Sequence, residues 1–180
     1  MKTVILLSLF ALTTVSSAEI VKTAIPNDKC GGICFYWWPK LPTIDGWHQD
    51  MEHSFYYKEN TQAPNGYTFK NSESVIYAKA MFKPRMPNTK TLEQFISEDH
   101  LEFKDTEIKE TKSIITSDKN KFISYTFVPE NKGNWEQVSY GEEGQYYVIF
   151  TLSSRNNSWF KKSLPSYIKF IEKYNENPNN

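Results

Sequence analysis

The segment His48-Gln-Asp50-Met-Glu52-His53 places two of the chain's three histidines beside two carboxylates. Imidazole and carboxylate groups bind transition metals and exchange protons. On a strand, His48, Asp50 and Glu52 would share one face while His53 pointed to the other; on a helix, the five-residue step between the histidines is equally poor. The segment therefore reads as solvated and polar rather than as a metal site. Glu136, Glu142 and Glu143 form a second acidic group. Glu142 and Glu143 lie in Gly141-Glu-Glu-Gly144, read as a hairpin turn, where carboxylates stay solvated and untuned. His100 falls on the apolar stripe of a predicted helix and reads as a packing residue. Neither Gly-x-Ser-x-Gly nor His-Glu-x-x-His occurs. No catalytic residue, cofactor or metal ligand is assigned, and the chain is read as a non-enzyme. The alternatives are a small secreted hydrolase using His48 or His100, or an inhibitor or immunity-type protein.

Residues 30–47 hold both cysteines and three of the five tryptophans. Cys30 and Cys34 are expected to pair if Gly31-Gly32 brings their Cα atoms within ~7 Å. A redox or metal pair is the alternative, but exchange-active thiols favour Cys-x-x-Cys, and zinc would need further ligands. So small a loop stabilises by at most ~2 kcal/mol, so the bond's role would be to direct the aromatic residues that follow it. Trp37, Trp38 and Trp47 either plug one side of the fold or remain open to stack on a partner. Adjacent residues on an extended segment point oppositely, so Trp37 and Trp38 cannot both be buried on one face. Arg155, in Ser153-Ser-Arg-Asn-Asn-Ser158, lies at a strand end before a helix start, where free amides can meet an anion. The plainer reading is a surface pairing with a nearby carboxylate.

Residues 1–18 have one lysine, an apolar run and Ser16-x-Ala18, the pattern of a cleaved signal peptide. The apolar run is short of the ~20 residues that span a bilayer, so no stable membrane anchor is expected. Cleavage leaves residues 19–180 without Lys2, hence 20 basic and 21 acidic side chains and a net charge of −1. That balance, with only two arginines, argues against nucleic acid as a partner. The expected location is secreted, periplasmic after cleavage.

The elements that must position these groups follow from periodicity. Residues 19–44 read as an irregular aromatic arm and 47–58 as a blurred strand. Residues 74–83 and 146–152 are apolar on both faces, as strands covered on both sides should be. Thr91-Leu-Glu-Gln94 is a capping box opening a helix to about residue 104. Residues 107–116 read as a lysine-rich edge strand, with strands at 121–128 and 134–140 beside it. A last helix shows Phe160, Leu164, Ile168, Ile171 and Tyr174 on one face, with Pro165 inside it. This predicts an α+β fold, a six-stranded antiparallel sheet with one helix on each face, in a domain of 45–175 with a frayed tail at 176–180.

The closing Tyr146-Tyr-Val-Ile-Phe-Thr-Leu-Ser-Ser with Trp159-Phe-Lys-Lys and Ile168-Lys-Phe-Ile171, and the Ile76-Tyr77 strand with its following helix, resemble PsbP-like domains. The resemblance implies an α/β/α sandwich and a binding or assembly role without catalysis. The function expected is an exported module of the cell envelope that contacts an unidentified protein or glycan.

Overall fold

The computed structural model describes residues 20–174, apart from residues 87, 89, 104, 105 and 131 and the side chain of Cys30. The expected signal peptide and tail lie outside the described residues.

Nine strands form one antiparallel sheet: β1 Ile20–Asn27, β2 Gly32–Pro39, β3 Trp47–Gln49, β4 Asn60–Pro64, β5 Ser74–Phe82, β6 Thr106–Ile115, β7 Lys121–Pro129, β8 Trp135–Glu143 and β9 Tyr146–Ser154. The main path runs β1-β2-β5-β9-β8-β7-β6, with β4 along the first half of β5 and β3 beside β4. Among the described residues three α-helices accompany it: α1 Met51–Tyr57, α2 Leu92–His100 and α3 Asn157–Glu172.

The sheet is larger than the six strands expected, and the arm expected over 19–44 is not irregular where it is described. Its residues 20–39 supply the β1–β2 hairpin, which joins the sheet where Trp37 faces Ala80. The hairpin escaped notice because β1 is an edge strand, where Pro26 and polar residues are tolerated. Asn27 caps the short 3-10 turn Asp28–Cys30, and Gly31 follows at φ +68°, a left-handed conformation that glycine adopts without penalty. Nor is 47–58 one strand. Asp50 accepts the His53 amide hydrogen, and this N-cap converts the segment from strand to helix after three residues of β3.

β5 and β9 occupy the middle of the sheet, and their alternation divides the core. On one face, Ile76, Ala78, Val148, Phe150 and Leu152 meet Phe160, Tyr167, Phe170 and Ile171 of α3. On the other, Phe95 and Ile96 of α2 cover Phe127, Val138, Tyr140, Tyr147 and Ile149. The Thr91 capping box forms as expected, with both reciprocal hydrogen bonds. The α3 face is turned from the expected stripe. Tyr167 and Phe170 are buried while Leu164 and Ile168 are only half-buried. Tyr167 is accommodated because its hydroxyl donates to Ser139 Oγ (2.7 Å).

α2 has nine residues, against sixteen in α3. It covers the β7–β9 part of its face and leaves the β4–β5 end open.

Candidate functional site

That open end is a cleft of about 290 Å³. Its floor follows from register. Val75 lies opposite Ser153 and Ser153 opposite Glu136, while Tyr77 lies opposite both Thr61 and Thr151, so all of these side chains share one face. Glu59, just before β4, completes the floor.

Two half-buried carboxyls therefore meet beside a phenol. Ser153 Oγ donates to Glu136 Oε1 at 2.8 Å and itself accepts from Asn134 Nδ2 at 2.9 Å. Burial pushes Glu136 above the usual carboxylate range, against the hydrogen bonds of Ser153 and Tyr77 and with help from the charge of Asp99. Burial raises Glu59 as well; Lys79 opposes the rise and Glu136 adds to it. Glu59 Oε2 is buried and has no hydrogen-bond partner. Tyr77 is raised by its burial and then by the charges of Glu136 and Glu59.

One wall is aromatic and is held by a polar clip. Asp50 accepts from the backbone amides of His53 (3.1 Å) and Phe69 (2.9 Å) and bonds His53 Nδ1 at 2.8 Å. Burial alone would raise the Asp50 carboxyl, but the Phe69 and His53 amides and the His53 ring outweigh it and hold it below the usual range. The His53 ring stacks on Phe69 at 5.3 Å and 15° and lies 6.2 Å from Tyr57, while Tyr57 and Phe69 are 4.7 Å apart. Tyr56 stands edge-on to Tyr57 at 4.9 Å and is 73% exposed. Asp50 and His53 thus position the wall. Among the described residues no group of three or more His, Cys, Asp or Glu side chains is arranged to hold a metal ion.

Arg155 lies at the mouth. Its Nη2 donates to the Lys70 carbonyl at 2.8 Å, and Nη1 is 3.8 Å from Glu73, the surface pairing that the sequence favoured. The aromatic candidates lie elsewhere. Trp37 is half-buried at the β2–β5 junction, stacked on Phe82 at 5.3 Å with the Arg85 guanidinium 4.7 Å above its ring. Trp38, on the opposite side of β2, is only 6% exposed and meets Phe55 of α1 edge-on. Trp47 is half-buried against Phe170. Among the described residues no cysteine is a free thiol; Cys34 is buried, and a pairing with Cys30 involves a side chain outside the described residues.

The histidines and the remaining acids fall into plainer roles. His48 is exposed on β3. His100 packs edge-on against Tyr125, Phe127 and Tyr140, and burial lowers its pKa against the charge of Asp99. Glu142 and Glu143 are not in a turn. β8 runs through both, and only Gly144 and Gln145 connect it to β9. Glu143 is raised by burial and accepts the Tyr174 hydroxyl at 2.8 Å, while Glu142 pairs with Lys83 at 3.0 Å.

Sequence reasoning missed Glu59 and Tyr77 as site residues. The one local signal was Glu136 itself, a charge at an inward position in step with Val138 and Tyr140.

A raised carboxyl has a signed consequence for stability. Glu136 supports folding fully below its ordinary pKa near 4.5, and that support is lost as pH rises through its elevated folded-state value. Glu136→Gln is therefore expected to unfold at a higher temperature than wild type at about pH 7, with the difference closing by about pH 4. Thermal unfolding followed by circular dichroism at both pH values checks this.

No protein-family model and no curated protein matches the chain. Among solved structures it is similar to the Ran-binding protein Mog1p of Saccharomyces cerevisiae, at 8% identity over 88% of this chain and 92% of that one, with a TM-score of 0.41. It is also similar to the cyanobacterial PsbP protein, CyanoP, of Synechocystis, at 10% identity over 92% and 95% of the two chains, with a TM-score of 0.38. Neither likeness assigns a family.

Proposed function

We propose that this protein is an exported, non-enzymatic binding or assembly module of PsbP-like type, which contacts a protein or glycan partner through the cleft. The supporting observation is the join between a polar floor and an aromatic wall of Tyr57 and Phe69, with the exposed Tyr56 edge-on to Tyr57. Aromatic side chains at the centre of a contact supply most of its energy, and polar groups beneath them supply orientation. Export follows from residues 1–18, and a bond between Cys30 and Cys34 would close the β1–β2 hairpin in that oxidising setting. Trp37 with Arg85 offers a second contact surface on the same reading.

Capture from cell-envelope extract and a glycan array should both be run on wild type and on Tyr57→Ala. Losing an aromatic anchor is expected to weaken binding at least tenfold, with the unfolding temperature as the control for folding. Turnover of any substrate in a hydrolase panel, abolished by Glu136→Gln, would overturn the reading.

A further inference from the structure

We infer that the cleft receives a cationic side chain, the ammonium of a lysine or the guanidinium of an arginine, presented by a partner protein. This rests on the reading of the cleft as a binding site and names what enters it.

The charges at the cleft do not balance. Arg155 and Glu73 face each other at the mouth, 3.8 Å apart. Inside, the charge of Lys79 favours ionised Glu59 but gives its Oε2 no hydrogen bond, and the charge acting on Glu136 is that of Asp99. The Ser153 hydroxyl is already committed to Glu136, and Asn134 donates to Ser153. What remains is a buried carboxyl oxygen in need of a donor. Lysine and arginine bring donors and no acceptor, whereas each sugar hydroxyl brings both and would leave its acceptor side unmatched. The wall adds to this preference. The Tyr57, Phe69 and Tyr77 rings line the cleft, and aromatic π-systems attract alkylammonium and guanidinium groups. At about 290 Å³ the cleft is at the lower edge of small-molecule pockets, a size that suits one inserted side chain.

The cation also answers the raised carboxyls. A positive group beside Glu59 and Glu136 favours their charged forms, so binding releases protons and strengthens with pH. The titratable and charged groups around the site are Glu59, Glu136, Tyr77 and Lys79 on the sheet, Tyr57 on α1, Asp99 on α2, and Glu73 and Arg155 at the mouth. Of these, Glu59 and Glu136 are the carboxyls raised by burial, and they set the pH response.

The test is an amide chemical-shift titration followed at Phe69 and Ser153. The probes are a pentapeptide with central lysine, its arginine and norleucine versions, cadaverine, and a panel of neutral trisaccharides. Saturable shifts are expected with the lysine and arginine peptides and at least tenfold weaker ones with norleucine, which keeps the chain but not the charge. Affinity should rise at least threefold from about pH 5 to about pH 7.5. It should fall at least tenfold in Glu59→Gln, with Glu136→Gln as the second variant and each unfolding temperature confirming the fold. Equal binding of the norleucine peptide, unchanged affinity in both variants, or no saturable shift with either charged peptide overturns the inference. Cadaverine binding tighter than the lysine peptide would make the ligand a free amine and overturn the partner-protein assignment. A trisaccharide that saturates the site where the charged peptides do not would overturn the cation while leaving the binding-module reading intact. That reading fails by the catalytic result given above, or by partner binding that Tyr57→Ala leaves unchanged.

Discussion

Asp50→Ala is expected to lower the free energy of unfolding by about 3–5 kcal/mol, combining a lost helix cap with stranded buried donors. One carboxylate, 6% exposed, serves the His53 amide, the His53 ring and the Phe69 amide. Its removal frees the start of α1, the tilt of the His53 ring and the loop that carries Phe69, so the aromatic wall loosens as the fold weakens. Urea denaturation measures the first effect, and the Phe69 amide shift reports the second. Asp50→Asn should fall between the two proteins, because its side-chain oxygen still caps the helix while the charge is gone. The pH dependence has the opposite sign to that of Glu136. Asp50 is held below its ordinary value of 3.8, so its contribution is present above that value and is lost as pH falls through the lower folded-state value. Wild type should therefore lose its advantage over Asp50→Ala under strong acid. An advantage that grew on acidification would show that the clip does not work through the ionised carboxylate.

Gly141→Ala is expected to destabilise by about 2–3 kcal/mol through overpacking, although its backbone conformation suits any residue. A Cβ there would come within 2.6–2.8 Å of three atoms of the Phe122 ring. That ring is 2% exposed and stands edge-on to Phe150 at 5.4 Å and to Tyr174 at 6.2 Å, so it has nowhere to move. The cause is thus steric, and a smaller partner should relieve it. Phe122→Leu combined with Gly141→Ala should cost less than the sum of the single changes in a double-mutant cycle. Strict additivity in urea denaturation would show that the glycine is required for some other reason.

These two sites differ in how far the sequence announces them. Asp50 stood out as part of a polar cluster, but its role was hidden because cap and strand readings of the same residues compete until β4 arrives to pair with β3. Gly141 read as part of a turn. In fact β8 and β9 remain paired from Trp135–Ser154 to Glu143–Tyr146, and the glycine lies inside the strand to admit a ring from β7. The Thr91–Gln94 cap, the two double-faced strands and the polar edge strand β6 were all legible, because each is decided by residues within one element. The β1–β2 hairpin was not. An edge strand tolerates polar residues and proline, so its alternation is weak and only pairing with β5 shows what it is.

The sequence by itself determined the α+β class, the antiparallel pairing and the existence of opposed apolar faces, since periodicity in a strand or helix is a local property. Tertiary structure alone decided the site. Glu59, Tyr77 and Glu136 belong to three separate stretches, none with a motif, and the register of β4, β5, β9 and β8 is what sets them side by side. Their raised pKa values arise from burial in a cleft that exists because α2 stops short of that end of the sheet. No spacing in the chain encodes that gap, because it depends on how far a helix on one face reaches across strands that arrive from elsewhere.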